Sequence, residues 1–196
     1  MANSVIRGFR GLARFSGRDT RAQFWPFAAL VIVTVFLAGA AAMSWAMEPM
    51  FREMARFAAE HPEAATVHSA PGQYSVSIDA GHPDAPQMDF SRFFGVLVAM
   101  VAAAVALLAA AVARRLHDSN RRGWWGLMPL PFIAFSMTAF PVMMKDFMAN
   151  PEPNLGLFLA ALTSNLLYLA SLGVLIVLLC LTGTDGPNRF GDKSSG

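Results

Sequence analysis

Phe24–Trp45 reads FWPFAALVIVTVFLAGAAAMSW and contains no Asp, Glu, Lys, Arg or His. A bilayer core of roughly 30 Å is crossed by about 20 helical residues rising about 1.5 Å each, so the run is long enough to span, and its lack of charge favours insertion. Three more charge-free runs follow at Phe93–Ala113, Trp124–Met144 and Leu157–Leu181. They define an all-α membrane protein with four transmembrane helices. Proton relays, voltage sensors and ion pathways use ionisable groups inside the membrane. Their absence here directs attention to the two surfaces.

Composition agrees: 55% of the 196 residues are hydrophobic and only 14% charged, with a mean hydropathy of +0.45. One membrane domain over residues 1–196 accommodates this. The lone Cys180 excludes an internal disulfide and reads as a small apolar residue of the last span. The first apolar run is longer than a signal-peptide core and three spans follow it, so it reads as an uncleaved anchor.

Charge alternates between the connecting segments. Residues 1–23 carry five Arg against Asp19, a net +4, and 114–123 carry four Arg against Asp118, a net +3. Residues 46–92 sum to −4, 145–156 to −1 and 182–196 to zero. Positive segments stay inside. This places 1–23, 114–123 and 182–196 in the cytoplasm and 46–92 and 145–156 in the periplasm, with spans at 24–45, 93–113, 124–144 and 157–181. Aromatic pairs at Phe24-Trp25, Phe93-Phe94 and Trp124-Trp125 fit interfacial belts.

The first segment is patterned as an amphipathic interfacial helix. On a helical wheel Val5, Ile6, Phe9, Leu12, Ala13 and Phe15 share one side, and Arg7, Arg10, Arg14 and Arg18 gather on the other. Such a helix lies on a leaflet with its guanidiniums on anionic headgroups. Gly8, Gly11 and Gly17 weaken it, and the spacing Ser16 to Asp19 predicts a capping box that starts the first span.

Within the bilayer, Ala99, Ala102, Ala103, Ala106, Ala109, Ala110 and Ala113 form a stripe suited to close helix packing. Pro129, Pro131 and Pro141 predict a kink in the third span. Thr163, Ser164, Asn165, Tyr168 and Ser171 form a polar band in the fourth. Ser164, Asn165, Tyr168 and Ser171 are the candidate intramembrane contacts, bonding between helices or lining a ligand pocket.

In the extramembrane loop between the first two spans, Met50, Phe51, Met54 and Phe57 recur at helical spacing, so the first helix continues outward or lies on the outer face. Thr66-Val67-His68, the Pro71-Gly72 turn and alternating Tyr74, Val76 and Ile78 predict a small hairpin. His61, His68 and His82 with Glu63, Asp79 and Asp84 match no ligand spacing, so a solvated loop without a metal is expected.

The most specific words lie on the cytoplasmic side: FSGRDTRAQFW at 15–25, ARRLHDSNRRGWW at 113–125 and GTDGPNRFGD at 183–192. In these blocks and their order, the chain resembles the bacterial inner-membrane family catalogued as domain of unknown function 805, the YhaH-like proteins. The resemblance implies a small multi-helix inner-membrane protein and no reaction. The 46–92 loop is longer than that family's usual connection, so nothing carries over to it.

His117 and Asp118 are adjacent and diverge by about 100° on a helix, which disfavours a catalytic dyad; Asp118 is placed to pair with Arg114, Arg115, Arg121 or Arg122. The tail lacks the Gly-Lys-Ser/Thr ending of a phosphate loop. The leading reading is a non-enzymatic inner-membrane protein with no cofactor and no nucleic-acid partner. Its cytoplasmic surface of Arg7, Arg10, Arg14, Arg18, Arg21, Arg114, Arg115, His117, Asp118, Arg121, Arg122 and Arg189 would dock anionic lipid, a partner membrane protein or a second copy. A small transporter or channel for an uncharged solute is the alternative, and a membrane-embedded enzyme acting on lipid headgroups through His117 or Asp118 is the third.

Overall fold

The structure is a computed structural model that describes residues 2–70, 73–79, 81–87 and 89–192. In chain order it has α1 (Ala2–Arg10), α2 (Arg21–Glu60), β1 (Ala65–Ala70), β2 (Gln73–Ile78), α3 (Ser91–Asp118), a 3-10 turn (Gly123–Leu127), α4 (Leu130–Ala149) and α5 (Leu155–Cys180). The stretches Arg21–Glu60, Ser91–Asp118, Gly123–Ala149 and Leu155–Cys180 are long and apolar enough to cross a membrane, which makes this a multi-pass membrane protein. Contacts group the chain into two compact units, residues 1–37 with 98–196 and residues 38–97.

In the first unit, α1 stops at Arg10, so the wheel drawn through Arg18 does not hold. Two glycines explain why the segment tolerates them. A Cβ on Gly8 would overlap the Phe27 ring, and Gly17 has φ +92°, a left-handed value that a side chain disfavours. The span begins at Arg21 rather than at the Ser16 to Asp19 box. Gln23 Oε1 accepts the Thr20 backbone N–H at 3.0 Å, and Thr20 O accepts from Phe24 N at 2.9 Å. Thr20 to Gln23 is therefore the box, because a Gln three residues on reaches back to the cap amide.

Phe24, Phe27, Ala28 and Val31 of α2 bury against Ala111 and Leu116 of α3 and Leu175 and Leu179 of α5. Ala139 and Met143 of α4 meet Ala161 of α5. Ser164 Oγ donates to Phe132 O at 2.9 Å, an interhelical bond from the predicted polar band. Ser171 instead bonds within α5 to Tyr168 O, and Asn165 and Thr163 face outward. Lipid is as apolar as these helices, so close packing and polar contacts, rather than water exclusion, hold the spans together.

The alanine stripe is packed only at one end. Ala110, Ala111 and Ala113 are buried, while Ala99, Ala102, Ala103 and Ala106 are exposed in the single chain. Of the three prolines, Pro129 and Pro131 sit at the start of α4, where a missing N–H breaks no helical bond, and Pro141 alone is interior.

In the second unit α2 runs on to Glu60. Its 40 residues reach about 60 Å, roughly twice a bilayer core. The predicted hairpin forms, with Ala65 opposite Ile78 and Ala70 opposite Gln73; the Pro71-Gly72 turn lies outside the described residues. Phe57 is buried beneath His61 and His82, whose rings are 4.6 Å apart, so this part of the loop is folded rather than solvated.

Candidate functional site

Three segments far apart in sequence meet at one end of the first unit. α3 ends in a Schellman motif: Asn120 has φ 58°, its N–H bonds to His117 O at 3.0 Å, and Arg121 N–H bonds to Leu116 O at 2.9 Å. The turn fixes Arg114, Arg115 and Asp118 on the last helical turn, facing inward.

Asp118 is the hub. Its Oδ1 accepts Arg18 Nη2 at 3.0 Å and Nε at 3.2 Å, and its Oδ2 accepts Arg115 Nη1 at 2.6 Å. Arg18 also donates to Thr184 O and Gly186 O, each at 2.8 Å, and to Gly191 O at 3.3 Å. Arg115 Nε donates to Leu179 O at 2.9 Å and its Nη2 to Leu181 O. These are carbonyls at the end of α5 that a helix leaves unpaired, and a cation there is also favoured by the helix dipole.

A second hub stands beside the first. Asp19 Oδ2 accepts Arg114 Nε at 2.6 Å, and Arg114 Nη1 reaches Gly11 O at 2.7 Å and Arg14 O. Arg7 comes within 3.2 Å of Asp19 Oδ1 as an ion pair without hydrogen-bond geometry. The side chains of Arg18 and Arg115 are fully buried, and those of Asp19, Arg114 and Asp118 nearly so. Isolated charges in such a place would be prohibitive, and here each is paired and hydrogen-bonded.

The tail closes over this core. The His117 ring stacks on Phe190 at 3.9 Å and 7°, and its Nδ1 pairs with Gly17 O at 3.2 Å. Asn188 Nδ2 donates to His117 O and Thr184 Oγ1 at 3.0 and 2.9 Å, and Arg189 donates to Asn120 O at 2.8 Å.

Several expected surface contacts are therefore corrected. Arg18, Arg114, Arg115 and Asp118 are buried internal ties rather than an exposed docking face, with Arg18 and Arg114 reaching only the wall of a recess. His117 is half-buried in its stack, pointing away from Asp118 toward Gly17 and Phe190. Arg114 pairs with Asp19 instead of Asp118, and Asp118 takes Arg115 from its own helix but Arg18 from 100 residues away. Arg10, Arg14, Arg21, Arg122 and Arg189 stay exposed, Arg7 is exposed on its ion pair, and Arg121 is half-buried. Sequence reading missed Asp19, Thr184, Asn188 and Phe190 as structural partners, although all four stand inside the three quoted blocks.

Two recesses adjoin the knot. One, of about 510 Å³, is lined by Arg7, Arg10, Arg14, Arg18 and Arg114 with Ser16 and no carboxylate. The other is an apolar groove of about 540 Å³ between α3, the 3-10 turn, α4 and α5, bounded by Phe15 and His117 near the knot and holding the half-buried Tyr168. Phe15 lines the groove and Ser16 and Gly17 the cationic recess.

Together these features define a multi-pass membrane protein whose helices are tied at one end by buried ion pairs. Residues 12–192 match the family described as protein of unknown function DUF805, and the chain belongs to that family. No curated protein and no solved structure matches it.

Proposed function

We propose that this is a non-enzymatic protein of the bacterial inner membrane that holds an anionic lipid headgroup in the arginine-lined recess, with that end and both termini on the cytoplasmic side. One observation carries the reading: five arginines and no acid line a single recess, whose volume lies within the range of about 300–1,000 Å³ common for small-ligand sites. The charges behind it do not cancel. Arg7, Arg18, Arg114 and Arg115 share two carboxylates, and Arg10 and Arg14 make no ion pair among the described residues. The exposed Ile6, Phe9 and Phe15 beside them suit the acyl boundary of a leaflet. The adjoining apolar groove offers a surface for acyl chains.

The test is the double variant Arg10→Gln with Arg14→Gln, which leaves every ion pair of the knot in place. Each basic residue near an anionic leaflet contributes about 1 kcal/mol, so the pair is worth about a 30-fold change in retention. Native mass spectrometry of the full chain, extracted in mild detergent from mixed anionic and zwitterionic lipid, should show anionic lipid bound to the parent and depleted from the variant. Equal retention of both lipid types in both proteins refutes the proposal, and a co-purifying protein lost from the variant would favour a protein partner.

A further inference from the structure

We propose that His61, Glu63 and His82 form a binding site for a divalent transition metal ion of the zinc type, a site separate from the arginine recess. Each residue offers one ligand atom, and the three atoms lie within 4.8 Å of one another. Two imidazoles and a carboxylate are the donor set that zinc accepts with three protein ligands and a water in the fourth position. Tetrahedral zinc with bonds of about 2.0–2.1 Å separates its ligand atoms by about 3.3 Å. His61 Nδ1 and Glu63 Oε1 already stand 3.3 Å apart. The third ligand has little farther to come, and His82 is half-buried rather than swinging in solvent.

The backbone explains how residues so distant in sequence meet. His61 O accepts Ala64 N–H at 3.0 Å, Ala64 O accepts Asp79 N–H at 2.8 Å, and Asp79 O accepts His82 N–H at 3.2 Å. Three successive bonds across the base of the hairpin thus connect one histidine to the other. Phe57 supports both rings, with centroid distances of 4.9 Å to His61 and 5.4 Å to His82. His82 Nδ1 takes the Asp84 backbone N–H at 3.2 Å, an exposed bond that water can replace when the ring turns to an ion. Arg56, one turn earlier on α2, is paired with Glu60 at 2.8 Å.

The experiment uses the full chain, purified in detergent without a histidine tag and titrated with zinc against a chromophoric chelator. One zinc ion per chain is expected to bind saturably. His61→Ala and His82→Ala should each weaken binding by about tenfold or more, while His68→Ala, on the exposed face of β1, should leave it unchanged. Hydrogen exchange of the parent protein supplies a readout that does not depend on a variant folding: zinc should slow exchange in 61–64 and 79–85. Absence of saturable binding, binding that survives both histidine substitutions, or zinc-indifferent exchange in those segments overturns the proposal.

Discussion

Asp118→Asn keeps the shape of the hub and removes its charge. Both oxygens of the native carboxylate are occupied, one by Arg18 and one by Arg115, at a side-chain exposure of 4% beside two guanidiniums at 0%. Removing one partner of a buried ion pair costs about 3–5 kcal/mol, because the remaining charge is left uncompensated. Here two cations lose their counter-ion, which pushes toward the upper end. Each keeps carbonyl acceptors, Thr184, Gly186 and Gly191 for Arg18 and Leu179 and Leu181 for Arg115, which pulls it back. A loss of about 4 kcal/mol at about 2–4 °C per kcal/mol for a chain of this size lowers the thermal midpoint by roughly 10 °C. Tryptophan fluorescence during a thermal scan in detergent reads this directly. Glu48→Gln is the internal comparison: it breaks the exposed pair with Arg52, where the loss is about 0–1 kcal/mol. If Asp118→Asn melts with Glu48→Gln, the buried network does not stabilise the fold and the reasoning fails.

Gly183→Ala should destabilise the same end, since a Cβ there would overlap the Asp118 carboxylate, whereas Gly95→Ala and Gly173→Ala meet open space; the three thermal midpoints separate the cases. Leu107→Ala should cost about 1–2 kcal/mol for a partly buried side chain and lower the midpoint accordingly, while Ala106→Leu leaves the isolated chain unaffected. A loss with Ala106→Leu alone would mean that another molecule covers that face. Reporter fusions at Pro83 and Pro151 should read as periplasmic and at Asn120 and Asp192 as cytoplasmic; the reverse at either pair would overturn the orientation taken from charge.

Helices were legible because span length and freedom from charge are local properties. Phe24–Trp45 announces itself from composition, and the hairpin followed from the alternation around Val76. Pairing across the fold was not legible. Asp118 has four arginines within one helical turn, and local spacing favours those, yet its second partner is Arg18, chosen by how α2, α3 and the tail converge. A wheel drawn from Val5 to Arg18 presumed one unbroken helix and so turned Arg18 outward with Arg10. The capping box was misplaced for a chemical reason that sequence did contain: Gln23 has the reach to return to the Thr20 amide. His61, Glu63 and His82 were set aside as part of a solvated loop because their spacing matches no ligand pattern, and their proximity depends instead on a hairpin's closure.

The knot also imposes an order on biosynthesis. Arg18 leaves the ribosome early, whereas the Thr184, Gly186 and Gly191 carbonyls that surround it come more than 160 residues later. All the apolar helices are therefore made before this end can close, and until then Arg18 remains hydrated at the membrane surface. A chain cut short at residue 182 keeps its four spans but strands that guanidinium with Asp118 alone. Such a chain would insert and then fail to lock, a state that a membrane protease can distinguish from the finished protein.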